Sequence, residues 1–187
     1  MIKPPMRIVS ASGRVELRPL RLKDKRSWLE LRRRNHDWLK PWEATSPTQI
    51  HFRAPRFWQL VRFHQREARA LRSLSLMIWV NGEMVGQINL GGITFGALRG
   101  AHIGYWIDQE KSNQGITTEA VVTLTEYAFT DLRLHRVEIS FRPENAASKR
   151  VAEKSGYIYE GVRPRYLHID GQWRDHTVFV RENPLIQ

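Results

Sequence analysis

The stretch NQGITTEA, Asn113 to Ala120, stands between a strand-like run and a helix-like run and has no acid before Glu119. A helix N-terminus leaves backbone amides unpaired at the positive end of the helix dipole, and together these attract anions. Here the amides from Gln114 to Thr118 are expected to face outward just past a strand end. Gly115 lets a ligand approach the backbone without meeting a Cβ, and Thr117 or Thr118 adds a hydroxyl donor. The segment reads as a diphosphate cradle. It is neither a Walker loop nor a dinucleotide fingerprint, because Gly115 stands alone.

On either side of this turn the periodicity organises the chain. Ala101 to Asp108 reads as the preceding strand. Ile116 to Asp131 reads as the following helix, with Ala120, Val121, Leu124 and Ala128 on one side. Val137, Ile139 and Phe141 alternate with Glu138 and Ser140, so His135 to Arg142 is a strand. Asn145 to Lys154 is a helix closed by Gly156. Tyr157 to Ile169 and Thr177 to Arg181 are strands around Asp170-Gly171. Upstream, Leu76 to Val80 and Met84 to Leu90 flank Asn81-Gly82, a strong hairpin signal. Val15 to Arg18 is a strand. Asp24 can cap a helix to about Arg34, and a second helix runs from about Arg56 to Ser73. Asn35 to Pro55, broken by Pro41, Pro47 and Pro55, is expected to be irregular. The order β-α-α-β-β-β-α-β-α-β-β predicts an α+β fold, a mixed sheet with helices on its faces, in a single domain with no linker.

Composition narrows the chemistry. Hydrophobic residues make up 41% of the 187, enough for a sizeable core. The absence of cysteine excludes disulfides, thiolate metal sites and a cysteine nucleophile. The seven histidines show no metal-ligand spacing, so no metal is expected. No apolar run approaches the ~20 residues of a membrane helix, and the N-terminus lacks a signal core, so a cytoplasmic location without membrane contact is expected. The net charge of +11 favours a polyanionic partner. Arg62, Arg66 and Arg69 fall on one helix face.

Four segments together carry a family resemblance: YWI at Tyr105 to Ile107, NQGITTEA, PENAASKRVAEKSGYIYEG from Pro143 to Gly161, and NHDWLKPWE from Asn35 to Glu43. From about Val15 to Val180 the chain resembles the GNAT acetyltransferases, and most of all the RimJ/RimL branch that acetylates ribosomal-protein N-termini. The resemblance implies a mostly antiparallel twisted sheet, splayed at a cleft for acetyl-coenzyme A. It implies that the pantetheine arm lies along Trp106, Ile107 and Asp108. The pyrophosphate would sit on Asn113, Gln114, Gly115, Ile116, Thr117 and Thr118.

The family's Arg/Gln-x-x-Gly-x-Gly/Ala pattern becomes Glu110, Asn113 and Gly115 here, with Lys111 available to replace the first contact. Asn145 and Ser148 match the branch's Asn-x-x-Ser. Asn145 then binds the pantetheine arm or caps its helix. Ser148 takes the acid role, since the usual tyrosine position is Ala152. Arg150 and Lys154 would reach the 3′-phosphate, and a backbone amide of the Tyr105–Asp108 strand the oxyanion. Glu138 and His168 are the candidate bases. Trp38 and Trp42 would form the peptide entrance, with Glu43 meeting the charged N-terminus. The acceptor implied is a protein N-terminus, with a polyamine, an antibiotic or an amino-acid-like toxin as the alternative. A third reading is an inactive acyl-coenzyme A-binding module. Ribosomal RNA docking through the basic surface and a monomeric or homodimeric state complete the expectation.

Overall fold

The computed structural model describes residues 4–48 and 55–186. Its strands are β1 (Ile8–Val9), β2 (Val15–Pro19), β3 (Leu74–Val80), β4 (Glu83–Gly91), β5 (Gly100–Ile107), β6 (Arg136–Phe141), β7 (Ile158–Ile169) and β8 (Gln172–Glu182). The helices are α1 (Lys25–Arg34), α2 (His36–Leu39), α3 (Phe57–Arg69), α4 (Ile116–Thr130) and α5 (Ala146–Lys154). One eight-stranded sheet runs in the order β1-β2-β3-β4-β5-β6-β8-β7. Neighbours are antiparallel except β5 and β6.

Turn chemistry sets the hairpins. Asn81 and Gly82 both have positive φ, 49° and 77°, and so do Asp170 and Gly171, 46° and 78°. Such pairs twist with the strands they join. Gly156, at φ 78°, ends α5. The Gly156 amide donates to the Glu153 carbonyl and that of Tyr157 to Ala152, both helix-closing bonds.

Alternation sorts the side chains into two layers. Val137, Ile139 and Phe141 join Ala120, Val121, Leu124 and Ala128 in the core beneath α4 and α5. On the other face, Leu20, Leu31, Val61, Met77 and Met84 form a smaller core under α1 and α3. No helix among the described residues is long and apolar enough to cross a membrane.

Several local expectations change. The segment after Asn35 is not wholly irregular: α2 and a 3-10 turn at Lys40–Trp42 carry it, the latter with Pro41 in its first turn. Four helical residues are too few to show a period. Residues 49–54 lie outside the described structure. Asp24 occupies the α1 N-cap, but its carboxylate accepts from the Arg21 amide (2.9 Å) and closes the preceding turn instead. The second helix stops at Arg69, because Leu71 turns to φ 50°. β8 begins at Gln172 rather than Thr177, since Ile169 pairs with Gln172 directly across the turn. β1 adds an edge of two residues.

Gly86 shows how closely β4 and β5 approach: a Cβ there would lie 2.4 Å from the Trp106 carbonyl oxygen. Backbone on both sides cannot yield cheaply. Gly86→Ala is expected to lower stability by about 1–3 kcal/mol in urea unfolding. Gly104→Ala, with nothing within 4 Å, should stay within about 0.5 kcal/mol of the parent.

Candidate active site

β5 and β6 pair in parallel only from Gly100–Arg136 to Ile103–Ile139, although β5 continues to Ile107 and β6 to Phe141. Beyond that point the strands part. A cleft of about 380 Å³ opens there. Tyr105, Trp106 and Ile107 line one wall, and Asn145, Ala147, Ser148, Arg150, Val151 and Lys154 the other. Lys111 to Thr118, and Trp38, Leu39 and Trp42, complete its lining. None of the lining residues is acidic.

The 111–118 loop is held by everything except its amides. Asn113 and Gly115 take left-handed backbone angles, φ 59° and 76°, which asparagine and glycine tolerate best. The Ser112 hydroxyl donates to the Gln109 carbonyl (2.7 Å), and the Gln114 side chain to the Glu110 carbonyl (3.2 Å). Arg14 donates to the Gln114 carbonyl (3.1 Å). The amides of residues 113–118 have no acceptor among the described residues. Successive outward amides in such a turn form an anion-binding concavity. Glu119, the nearest acid on α4, accepts from Ser12 and lies 4.0 Å from Arg14. Glu110 does not line the cleft, and Lys111 pairs with Glu83 at 2.9 Å while lining it.

On the facing wall the Asn145 side-chain oxygen accepts from the Ser148 amide (2.9 Å), capping α5. The Asn145 amide nitrogen and the Ser148 hydroxyl have no partner among the described residues, so both remain available to a ligand. Tyr105 donates its hydroxyl to the Ser148 carbonyl (3.3 Å), tying α5 to β5 across the cleft. Burial raises the Tyr105 pKa, so it stays a donor. Ala152 is fully buried and offers the cleft nothing. Arg150 and Lys154 have no ion-pair partner among the described residues.

This fold has close counterparts. The profile of the acetyltransferase (GNAT) domain matches residues 14–158. The chain belongs to the GNAT acetyltransferase family. It is 31% identical to a probable N-acetyltransferase, YjcK of Bacillus subtilis, over 91% of this chain and 94% of the relative. It is 28% identical to the Escherichia coli ribosomal protein uS5-alanine N-acetyltransferase, over 80% of this chain and 78% of that one. Among solved structures, Mycobacterium smegmatis RimJ in complex with CoA-disulfide matches at TM-score 0.85 and 35% identity, covering 96% of this chain and 87% of that one. Within the GNAT family the chain is an N-acetyltransferase similar to the RimJ/RimL enzymes.

In this GNAT enzyme the cleft gathers most of the sequence-predicted positions: Trp38, Trp42, Trp106, Ile107, residues 113–118, Asn145, Ser148 and Arg150. Four others lie elsewhere. Asp108 is 1% exposed, pairs with Arg34 and accepts from the Asn35 side chain (2.9 Å). Asn35 in turn accepts from the Gln109 amide (2.8 Å), so this buried cluster locks the end of α1 to the end of β5. Glu43 pairs with Arg32, whose guanidinium lies 5.3 Å from the Trp106 ring centre. His168 sits on the β7–β8 hairpin, bonded through Nδ1 to the Thr45 hydroxyl (2.7 Å) and edge-on to Trp173. Glu138 projects from the sheet face opposite α5 and accepts from Arg136 (3.0 Å) and Arg163 (2.7 Å).

Sequence reasoning missed His102, which stands in register with Glu138 on the same face. Its ring packs over Gly91 and Gly92, where a Cβ would come within 2.6 and 3.0 Å. Desolvation by the sheet lowers its pKa, against the opposing pull of Glu138, so it is neutral at pH 7. Alternation alone, with Ala101 and Ile103 buried, would have placed it there. Arg142 packs over Trp42 at 5.3 Å and donates to the Pro41 carbonyl (3.0 Å), holding that segment in place. No group of three or more His, Asp or Glu among the described residues could hold a metal ion.

Asp108→Ala removes one of the two acceptors of the Asn35 amide, which keeps the Leu31 carbonyl, and leaves Arg34 only the more distant Glu83. It should cost about 1–3 kcal/mol in thermal unfolding. Asp37→Ala, at a fully exposed carboxylate, should change stability by no more than about 0.5 kcal/mol.

Proposed function

We propose that this GNAT enzyme transfers the acetyl group of acetyl-coenzyme A to a protein N-terminal α-amine, with a ribosomal protein as the acceptor. The observation that carries this reading is the row of unpaired amides at residues 113–118, lining a cleft that Trp38 and Trp42 also line. A diphosphate suits those amides, and Arg150 and Lys154 suit a further phosphate. A cleft with cationic and no acidic lining disfavours a polyamine. The likeness to an enzyme named for acetylating ribosomal protein uS5 supports the acceptor class. The coenzyme A ligand in the RimJ structure supports the donor.

The chain's residues then divide the work. The open edge of β5 beyond Ile103 offers alternate backbone groups to a strand-like arm and to the developing oxyanion. Asn145 orients that arm with its side-chain nitrogen. Ser148 donates a proton to the departing thiolate, a contribution of roughly 10²–10⁴-fold. The amine attacks directly, and no covalent enzyme intermediate forms. An α-amine has a pKa of about 7.7–8.0, against about 10.4 for lysine, so roughly a tenth is neutral at pH 7 and a weak base suffices. Glu138 is engaged by two guanidiniums. His102, neutral and without a hydrogen-bond partner among the described residues, is the better proton acceptor on that face, acting through water.

A panel of peptides with free α-amines, peptides with only lysine amines, and polyamines, followed by mass spectrometry, tests the acceptor. Mass should increase by one acetyl group on α-amine peptides far faster than on the others. Preference for polyamines would overturn the reading. Ser148→Ala should lower kcat by about 10²-fold or more while coenzyme A affinity stays near that of the parent. Loss of neither would remove Ser148 from the chemistry.

A further inference from the structure

The strongest unexplained feature of the surface lies on α3, outside the cleft. Val61 faces the core beneath it, whereas Trp58 and Phe63 stand 44% and 49% exposed. Each aromatic ring has a guanidinium beside it: Arg62 lies 5.7 Å from the Trp58 ring centre and Arg66 5.9 Å from that of Phe63. Trp58, Arg62, Phe63, Arg66 and Arg69 line one shallow open groove along the helix. Eleven helical steps separate its ends, a length of about 17 Å.

The charge on this face is uncompensated. The chain has no acid from Ala44 to Arg66. Glu67, the single acid of α3, is taken by Arg72 at 2.6 Å, with Arg66 only at 3.8 Å. Arg62 and Arg69 have no ion-pair partner among the described residues. A fully desolvated role is excluded, since Trp58 and Phe63 are 44% and 49% exposed. A second copy of the chain fits poorly, because a two-fold contact would set this arginine row against itself.

We propose that this face binds single-stranded RNA, with Trp58 and Phe63 stacking on unpaired bases and Arg62, Arg66 and Arg69 pairing with the phosphates. Exposed aromatics have no use against duplex RNA, whose bases are already stacked, but form platforms for a single strand. Each exposed ring thus has a cation beside it, the pairing of chemistries that a base and its phosphate call for. This inference goes beyond acetyl transfer and does not depend on it. For an enzyme whose acceptor is a ribosomal protein, such a face would hold the enzyme on exposed ribosomal RNA.

Fluorescence anisotropy with the full chain and a labelled 12-residue polyuridine, at low and moderate salt, tests it. Trp58→Ala and Phe63→Ala should each weaken binding by roughly fivefold or more, without changing peptide acetylation. Arg62→Ala combined with Arg66→Ala should make the plot of log affinity against log salt shallower by about 1.4, two phosphates' worth for a single strand. A duplex of equal length should bind more weakly than the single strand. No binding at low salt would overturn the proposal. So would aromatic variants that bind as tightly as the parent, which would reduce the face to a simple cationic patch. Binding to anionic lipid vesicles but not to the RNA, or self-association lost in the same variants, would reassign the face.

Discussion

A parallel pair of strands that stops pairing part-way is the constraint on which this molecule depends. β5 and β6 share four register positions and then separate, yet each keeps its outer partner, β4 or β8. The inner edges are therefore left with backbone donors and acceptors that demand satisfaction. Water can supply it, and so can an extended ligand with amide groups of its own. The parting is held open by Tyr105, which reaches across to the Ser148 carbonyl, and by the start of α5 seated beside it. Gly86 lets β4 approach the Trp106 backbone from the far side, so β5 is braced where it loses β6.

Electrostatics follow from the same geometry. The turn into α4 can leave its amides outward because its carbonyls and side chains are tied elsewhere, to Arg14, Glu110 and Gln109. Acids near the cleft are engaged by their surroundings: Glu119 accepts from Ser12 and lies near Arg14, Asp108 pairs with Arg34 and accepts from Asn35, and Glu43 pairs with Arg32. The cations Arg150 and Lys154 stay unpaired among the described residues. The cleft thus presents unpaired amides and cations with no acid in its lining.

Much of this was legible in the chain. Asn81-Gly82 and Asp170-Gly171 announced their hairpins because their backbone angles are rare in other residues. NQGITTEA announced a strand-to-helix turn with outward amides because helix starts and glycine have fixed physics. What alternation cannot reveal is which face of a strand meets a ligand and which partner a long side chain finds. Asp108 lay in the segment matching the cofactor strand, yet its side chain turns to Arg34 and Asn35 from far upstream. His168 was close to a motif in sequence, but its ring is taken by Thr45 and it does not line the cleft. His102 passed unnoticed because its significance rests on Gly91, Gly92 and Glu138, none adjacent to it in the chain. The short α2 was invisible because four residues carry no period.

The central claim is that main-chain amides at residues 113–118 grip a diphosphate. Amide hydrogen exchange, followed residue by residue by NMR with and without coenzyme A, addresses it most directly. Slowed exchange confined to those amides and to the open edge of β5 is the predicted result. Coenzyme A binding that leaves the exchange of residues 113–118 unchanged would contradict it.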